Sequence, residues 1–183
     1  MSKYKESISL LRGCGVEFET GFAIEEIDEI ERIYGIRFPE SLKSFLMEGL
    51  PVSTGFYNWR DTSDENVIFI KQMIERPFKE IMESAEDVEW YDGRGDVFTD
   101  KEACADKVRE MLKSAPVMIP VYSHRYIPML SDEELPIISI HGADIIYYGE
   151  NLEEYFKVEF GDKRQEDISF EDITRIPFWS DIM

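Results

Sequence analysis

The sequence predicts an α+β fold: helices in the N-terminal part, a mostly antiparallel sheet in the C-terminal part, and a terminal helix packed on the sheet. Three observations carry this expectation. Before residue 115, apolar residues recur at helical spacing in segment after segment. Beyond Ala115 and Pro116 the chain changes to short β-rich runs, two of them separated only by Gly142 and Ala143. Strands and helices do not alternate, so a doubly wound parallel sheet has no support. The 183 residues fit one domain, 1–183, since a domain takes ~150 residues as a rule.

The elements follow in order. Ile24, Ile27, Ile30 and Tyr34 form one helical stripe opposite Glu25, Glu26, Asp28 and Glu29, with Gly35 as the C-cap candidate. A second helix opens at Pro39, buries Leu42, Phe45 and Leu46, and stops at Gly49. The two should pack as a hairpin with Phe38 and Pro39 in the corner. Residues 50–62 read as an aromatic loop. Asp64 is the expected cap of a helix with Val67, Ile70 and Ile74, and Pro77 should restart a separate helix with Phe78, Ile81 and Met82. Residues 89–98 (EWYDGRGDVF) form a Gly/Asp loop, and Thr99 with Glu102 matches a capping box. The helix it opens carries Cys104, Val108, Met111 and Leu112. Strands are expected at 117–122 and 125–129, where prolines mark edges or bulges. A hairpin follows over 136–148, and Asn151 caps a helix with Leu152, Tyr155, Phe156 and Phe160.

Composition narrows the function. Apolar residues make up 43% and aromatics 13%, which suits a packed core. No apolar run approaches the ~20 residues that span a bilayer, and the N-terminus lacks a signal-peptide core. A cytoplasmic location is expected, and the two distant cysteines, Cys14 and Cys104, suit a reducing compartment. Cys104 reads as a core residue and Cys14 as an exposed turn residue. Net charge is −19, and residues 116–183 hold five basic residues against fourteen acidic ones. Nucleic-acid or anionic-membrane binding needs a basic patch, and no Lys/Arg run supplies one. A basic protein partner is the expectation, because opposite fields speed association.

Motifs for catalysis are sparse. There is no GxSxG elbow, no phosphate loop and no calcium loop. Ser123 beside His124 carries no weight if both lie on a strand, where neighbours point to opposite faces. His124, His141 and Asp144 could form a two-His, one-carboxylate metal site only if their strands are neighbours, and no ligand spacing supports it. Asp144 is expected to accept backbone N–H groups at the hairpin turn instead. Recognition is the better use of these segments. Tyr122, Ser123, His124, Arg125 and Tyr126 place a hydroxyl, an imidazole and a guanidinium together, and Arg125 can grip a carboxylate bidentately. Trp59 and Arg60 in the loop FYNWR, with Tyr147 and Tyr148, are residue types that anchor interfaces, although Trp59 could equally plug a gap in the core.

Three stretches resemble the SUKH superfamily, the family of the yeast cell-wall assembly regulator and of many bacterial toxin-immunity proteins. They are GFAIEEIDEIE at 21–31 with YGIRFP at 34–39 and LKSFL at 42–46; VMIPVYSHRYIP at 117–128; and PIISIHGADIIYYG at 136–149 followed by NLEEY at 151–155. The resemblance covers about 21–60 and 116–160 and implies a single domain with a helical insertion at about 63–115. It implies an α+β fold and binding, with no catalytic residues to carry over. The combined expectation is a non-enzymatic immunity protein that neutralises a basic toxin domain, such as a nuclease, as a monomer or weak homodimer without cofactor or metal. The alternative is a regulatory scaffold in cell-wall or stress signalling, and an enzyme with a metal or ligand site ranks last. Expected partner-binding residues are Trp59, Arg60, His124, Arg125, Tyr126, Asp144, Tyr147 and Tyr148.

Overall fold

In a computed structural model, residues 3–86, 88, 101–171 and 173–183 are described. The expected loop 89–98, with Trp90 and Tyr91, and the Thr99 cap lie outside the described residues.

Helix α1 (Lys5–Gly13) leads into a short strand β1 (Phe18–Thr20). Then come α2 (Ile24–Tyr34), α3 (Glu40–Glu48) and β2 (Gly49–Pro51), which pairs antiparallel with β1. Helices α4 (Asp64–Glu83) and α5 (Lys101–Leu112) precede four strands, β3 (Met118–Tyr122), β4 (Arg125–Pro128), β5 (Ile137–His141) and β6 (Asp144–Gly149). These form an antiparallel meander in the order β3-β4-β5-β6. Helix α6 (Leu152–Phe160) follows, and a C-terminal tail with two short 3-10 turns ends the chain. The α+β architecture expected from the sequence is the one observed.

Alternation along the meander divides the core in two. Ile119, Val121, Ile127 and Ile137 face a cluster built from α1, α2, α3, α6 and the first half of α4. Met118, Tyr126, Ile138, Ile140 and Ile145 face the second half of α4, α5 and the tail residues Ile176, Phe178, Trp179 and Ile182. One sheet is therefore the shared wall of two cores. The strands read as nearly continuous apolar runs because both faces are dry. Prolines fall where the ladder tolerates them. Pro120 lies on the edge strand β3, next to a bulge at Val121, and Pro128 lies past the last β4 residue that pairs with β5.

Several caps follow the sequence. Gly35 takes a left-handed φ of 67° at the end of α2. The Asn151 side chain accepts the Glu154 N–H at 3.0 Å. The α2–α3 corner is held by the buried Glu31, which accepts the Phe38 N–H at 2.8 Å and pairs with Arg37. Other expectations need correction. The cap of α4 is Ser63, whose Oγ accepts the Asn66 N–H at 3.4 Å; Asp64 is already in the first turn. Pro77 does not break the helix. It sits buried inside one 20-residue helix, because packing of α4 against the sheet outweighs the lost hydrogen bond. Helix α1, the β1–β2 ribbon and the tail were not anticipated: α1 is short, the strands have three residues each, and the tail is irregular.

Gly149 ends β6 where α6 crosses it. A Cβ there would lie 2.6 Å from the Tyr155 backbone. Gly149→Ala is expected to lower the unfolding free energy by about 2 kcal/mol through overpacking, read from the urea midpoint. An unchanged midpoint would show that β6 and α6 do not meet this closely.

Candidate functional site

The two hairpin turns of the meander lie side by side and bring the chain's only histidines together. The β3–β4 turn is Ser123-His124 and the β5–β6 turn is Gly142-Ala143. His124 and His141 flank these turns with ring centroids 6.1 Å apart. Ser123 holds a positive φ of 49°, unusual for a residue with a side chain. The loop before α4 stabilises it: Ser123 N–H donates to the Gly55 carbonyl at 2.8 Å, and the Tyr57 hydroxyl donates to the Ser123 carbonyl at 2.5 Å. Tyr57 then stacks on Phe69 of α4 at 6.0 Å. Farther along α4, Glu80 accepts the Gly142 N–H at 2.8 Å and pairs with Arg76 at 2.6 Å. Helix α4 thus braces both turns. The turn acceptor is Glu80 rather than the expected Asp144, since α4 approaches this end of the sheet and supplies a carboxylate from outside the hairpin.

Electrostatics at the turns are set by burial and by cations. Burial first, then the neighbouring charge of Arg125, with His141 and Arg76 adding to it, lowers the His124 pKa below 6.5; Asp144 opposes weakly. Burial pushes the Glu80 carboxyl up, but the Gly142 N–H and Arg76 outweigh it and hold the carboxyl below its usual range. Ser123 Oγ lies 3.1 Å from His124 Nδ1, so the expectation that these neighbours diverge fails. They occupy a turn, where strand alternation does not apply. The bond is local, between an exposed hydroxyl and the imidazole of the next residue, with the donor set by the His124 tautomer. Among the described residues, no group of three or more His, Cys, Asp or Glu side chains is placed to hold a metal ion.

The expected partner-binding residues do not share one face. Trp59 is only 2% exposed and lies edge-on to Tyr34 and Phe38, at 5.2 and 5.0 Å, so it is a core residue. Tyr126 is 1% exposed and faces the second core. Arg125, at 8% exposure, already has a carboxylate: its Nε donates to Glu159 of α6 at 3.1 Å and its Nη1 to Ser139 at 3.0 Å. Its guanidinium also sits 3.7 Å above the Tyr148 ring, and Tyr148 is the extra residue of a bulge in β6. Tyr147 points to the other side, where its hydroxyl meets Ser180 at 2.6 Å. Arg60 lies on the surface beside α2, paired with Glu19 and Glu26 and stacked on Phe22. Only His124 and Asp144 lie together at the turns, and Asp144 is exposed.

Sequence reasoning missed the outer face of α4. Ile68 and Phe69 are 56% and 46% exposed there, beside Asp61, Asp64 and Glu65. The available signal was two adjacent large apolar residues on a helix whose inward stripe is already Val67, Ile70 and Ile74.

Comparison of the chain with family models, with curated proteins and with solved structures finds no match. Among the described residues, no helix is long and apolar enough to cross a membrane.

Two outcomes test this description. Trp59→Ala should cost about 3–5 kcal/mol of stability, the range for emptying a large aromatic site; a urea midpoint close to the parent would return Trp59 to the surface. For His124, a folded pKa below the unfolded value means the unfolded chain binds more protons just below pH 6.5. Its contribution to stability is therefore complete above that value and is lost as pH falls through the folded pKa. Urea midpoints of the parent and His124→Gln, measured at about pH 7.5, 6.5 and 5.5, should show a shallower decline in the variant. Parallel curves would mean that His124 does not titrate differently on folding.

Proposed function

We propose that this chain is a non-enzymatic protein-binding module of SUKH type, acting as an immunity protein that occludes a basic toxin domain. The observation that carries this reading is the −19 net charge, shared between the two halves of a chain whose SUKH-like segments run through the sheet and α6. Those segments supply framework: the Arg125–Glu159 pair, the Gly149 crossing and the Asn151 cap. The outer face is left to recognition. Exposed carboxylates at Glu25, Asp28, Glu29, Asp61, Asp64 and Glu65 give α2 and the start of α4 a negative field. A basic nuclease domain presents the opposite field to its own substrate, and an acidic protein meets it with the same sign of charge as nucleic acid.

Recovery of a basic partner from native lysate, followed by stopped-flow binding, tests this reading. Between roughly 50 and 300 mM salt the association rate should fall about tenfold while dissociation changes little. A rate indifferent to salt would contradict electrostatic recognition, and loss of the partner's toxicity only in the presence of a second protein would contradict direct occlusion.

A further inference from the structure

We propose that the outward face of the N-terminal half of α4, centred on Ile68 and Phe69, is the docking surface for a basic, amphipathic protein segment. This rests on the protein-binding reading above and names where that binding takes place.

The apolar part is built rather than incidental. Ile70 and Ile74 turn inward to the first core, so Ile68 and Phe69 are left facing outward. Phe69 is fixed from beneath by Tyr57, and Tyr57 is fixed by its bond to the Ser123 carbonyl. The ring therefore stands on a rigid support, which lowers the entropic cost of using it as an anchor. Beside it lies a depression of ≈ 310 Å³ lined by Asp61, Ser63, Glu65, Asn66 and Phe69. Asp61 is held below its usual carboxylate range, first by the Ser63 N–H. The structure records no ion pair for Asp61, Asp64 or Glu65 among the described residues, whereas the Lys79–Glu75 and Arg76–Glu80 pairs lie farther along α4.

Charge selects the occupant. A second copy of this chain would set Asp61, Asp64 and Glu65 against the same carboxylates, and the −19 charge would add to the repulsion. An apolar segment without charge would leave those carboxylates unanswered. A helix with Leu on one face and Lys or Arg on its flanks meets both demands: its apolar side chains cover Ile68 and Phe69, and its cations meet the acidic rim.

The probe is a synthetic helical peptide of Leu and Lys with an amphipathic order, compared with a scrambled peptide of the same composition. Binding is followed by fluorescence anisotropy, and contacted residues by chemical-shift changes. The parent chain should bind the amphipathic peptide more tightly than the scrambled one, with shifts on α4. Ile68→Ser with Phe69→Ser should weaken binding about 30-fold, while Phe170→Ser, which removes an exposed apolar residue on the tail, should leave it unchanged. Circular dichroism and melting check the fold of each variant, and Phe69→Leu alone, which keeps an apolar side chain at this exposed position, should retain most of the affinity and keeps the test open if the double variant folds poorly. Equal binding by parent and double variant, or equal binding of the two peptides, overturns the surface, since net charge alone then accounts for the attraction. A dimer of the parent chain that sedimentation detects and Phe69→Ser abolishes also overturns it in favour of self-association. Failure of the parent to bind the peptide overturns this surface while leaving the protein-binding reading to the native partner and its salt dependence.

Discussion

Both faces of the meander are covered over β3, β4 and β5, and most of the molecule follows from that constraint. A sheet with one wet face can alternate apolar and polar residues; here β3 and β5 must be apolar on both sides. Each face then needs its own cover. The first face takes α1, α2, α3 and α6, and the second takes α5 and the C-terminal tail. Helix α4 is long enough to serve both, with Ile70 and Ile74 in one core and Ile81 in the other. That double duty explains why it continues through Pro77.

Charged groups buried inside this arrangement are few, and Arg125 and Glu31 each tie elements together. Arg125 emerges from β4 on the first face, meets Ser139 on the next strand, and crosses to Glu159 on α6. A buried guanidinium without these partners would be strongly destabilising, so the bulge that places Tyr148 under it is part of the same solution. Glu31 does similar work at the α2–α3 corner by accepting a backbone N–H that the turn leaves unpaired. Residues that looked like a recognition patch in the sequence are thus consumed in joining the sheet to its cover.

The fold was legible because its signals were local. The helical stripe of α2, the cap at Asn151 and the two-residue Gly142-Ala143 turn each occupy a short window. The site was less legible because its residues meet only through pairing of distant segments. Arg125 and Glu159 are 34 positions apart, and no pattern in one strand announces a partner in a later helix. Trp59 illustrates the ambiguity most plainly: a loop Trp beside an Arg has the composition of an interface anchor, and only Tyr34 and Phe38 closing over it make it core. Ile68 and Phe69 drew no notice in the sequence, since an apolar pair on a helix is ordinarily assigned to the interior, yet both are exposed.

If one sheet is the wall of both cores, the two cores cannot unfold independently. Native-state hydrogen exchange tests this most directly. Amides of the interior strands β4 and β5 should exchange slowest, and protected amides of α3, in the first core, and of α5, in the second, should share the same opening free energy and denaturant dependence. Exchange of α5 and the tail at a distinctly lower free energy, with β4 and β5 still protected, would show that the second cover is a separable layer and contradict the shared wall.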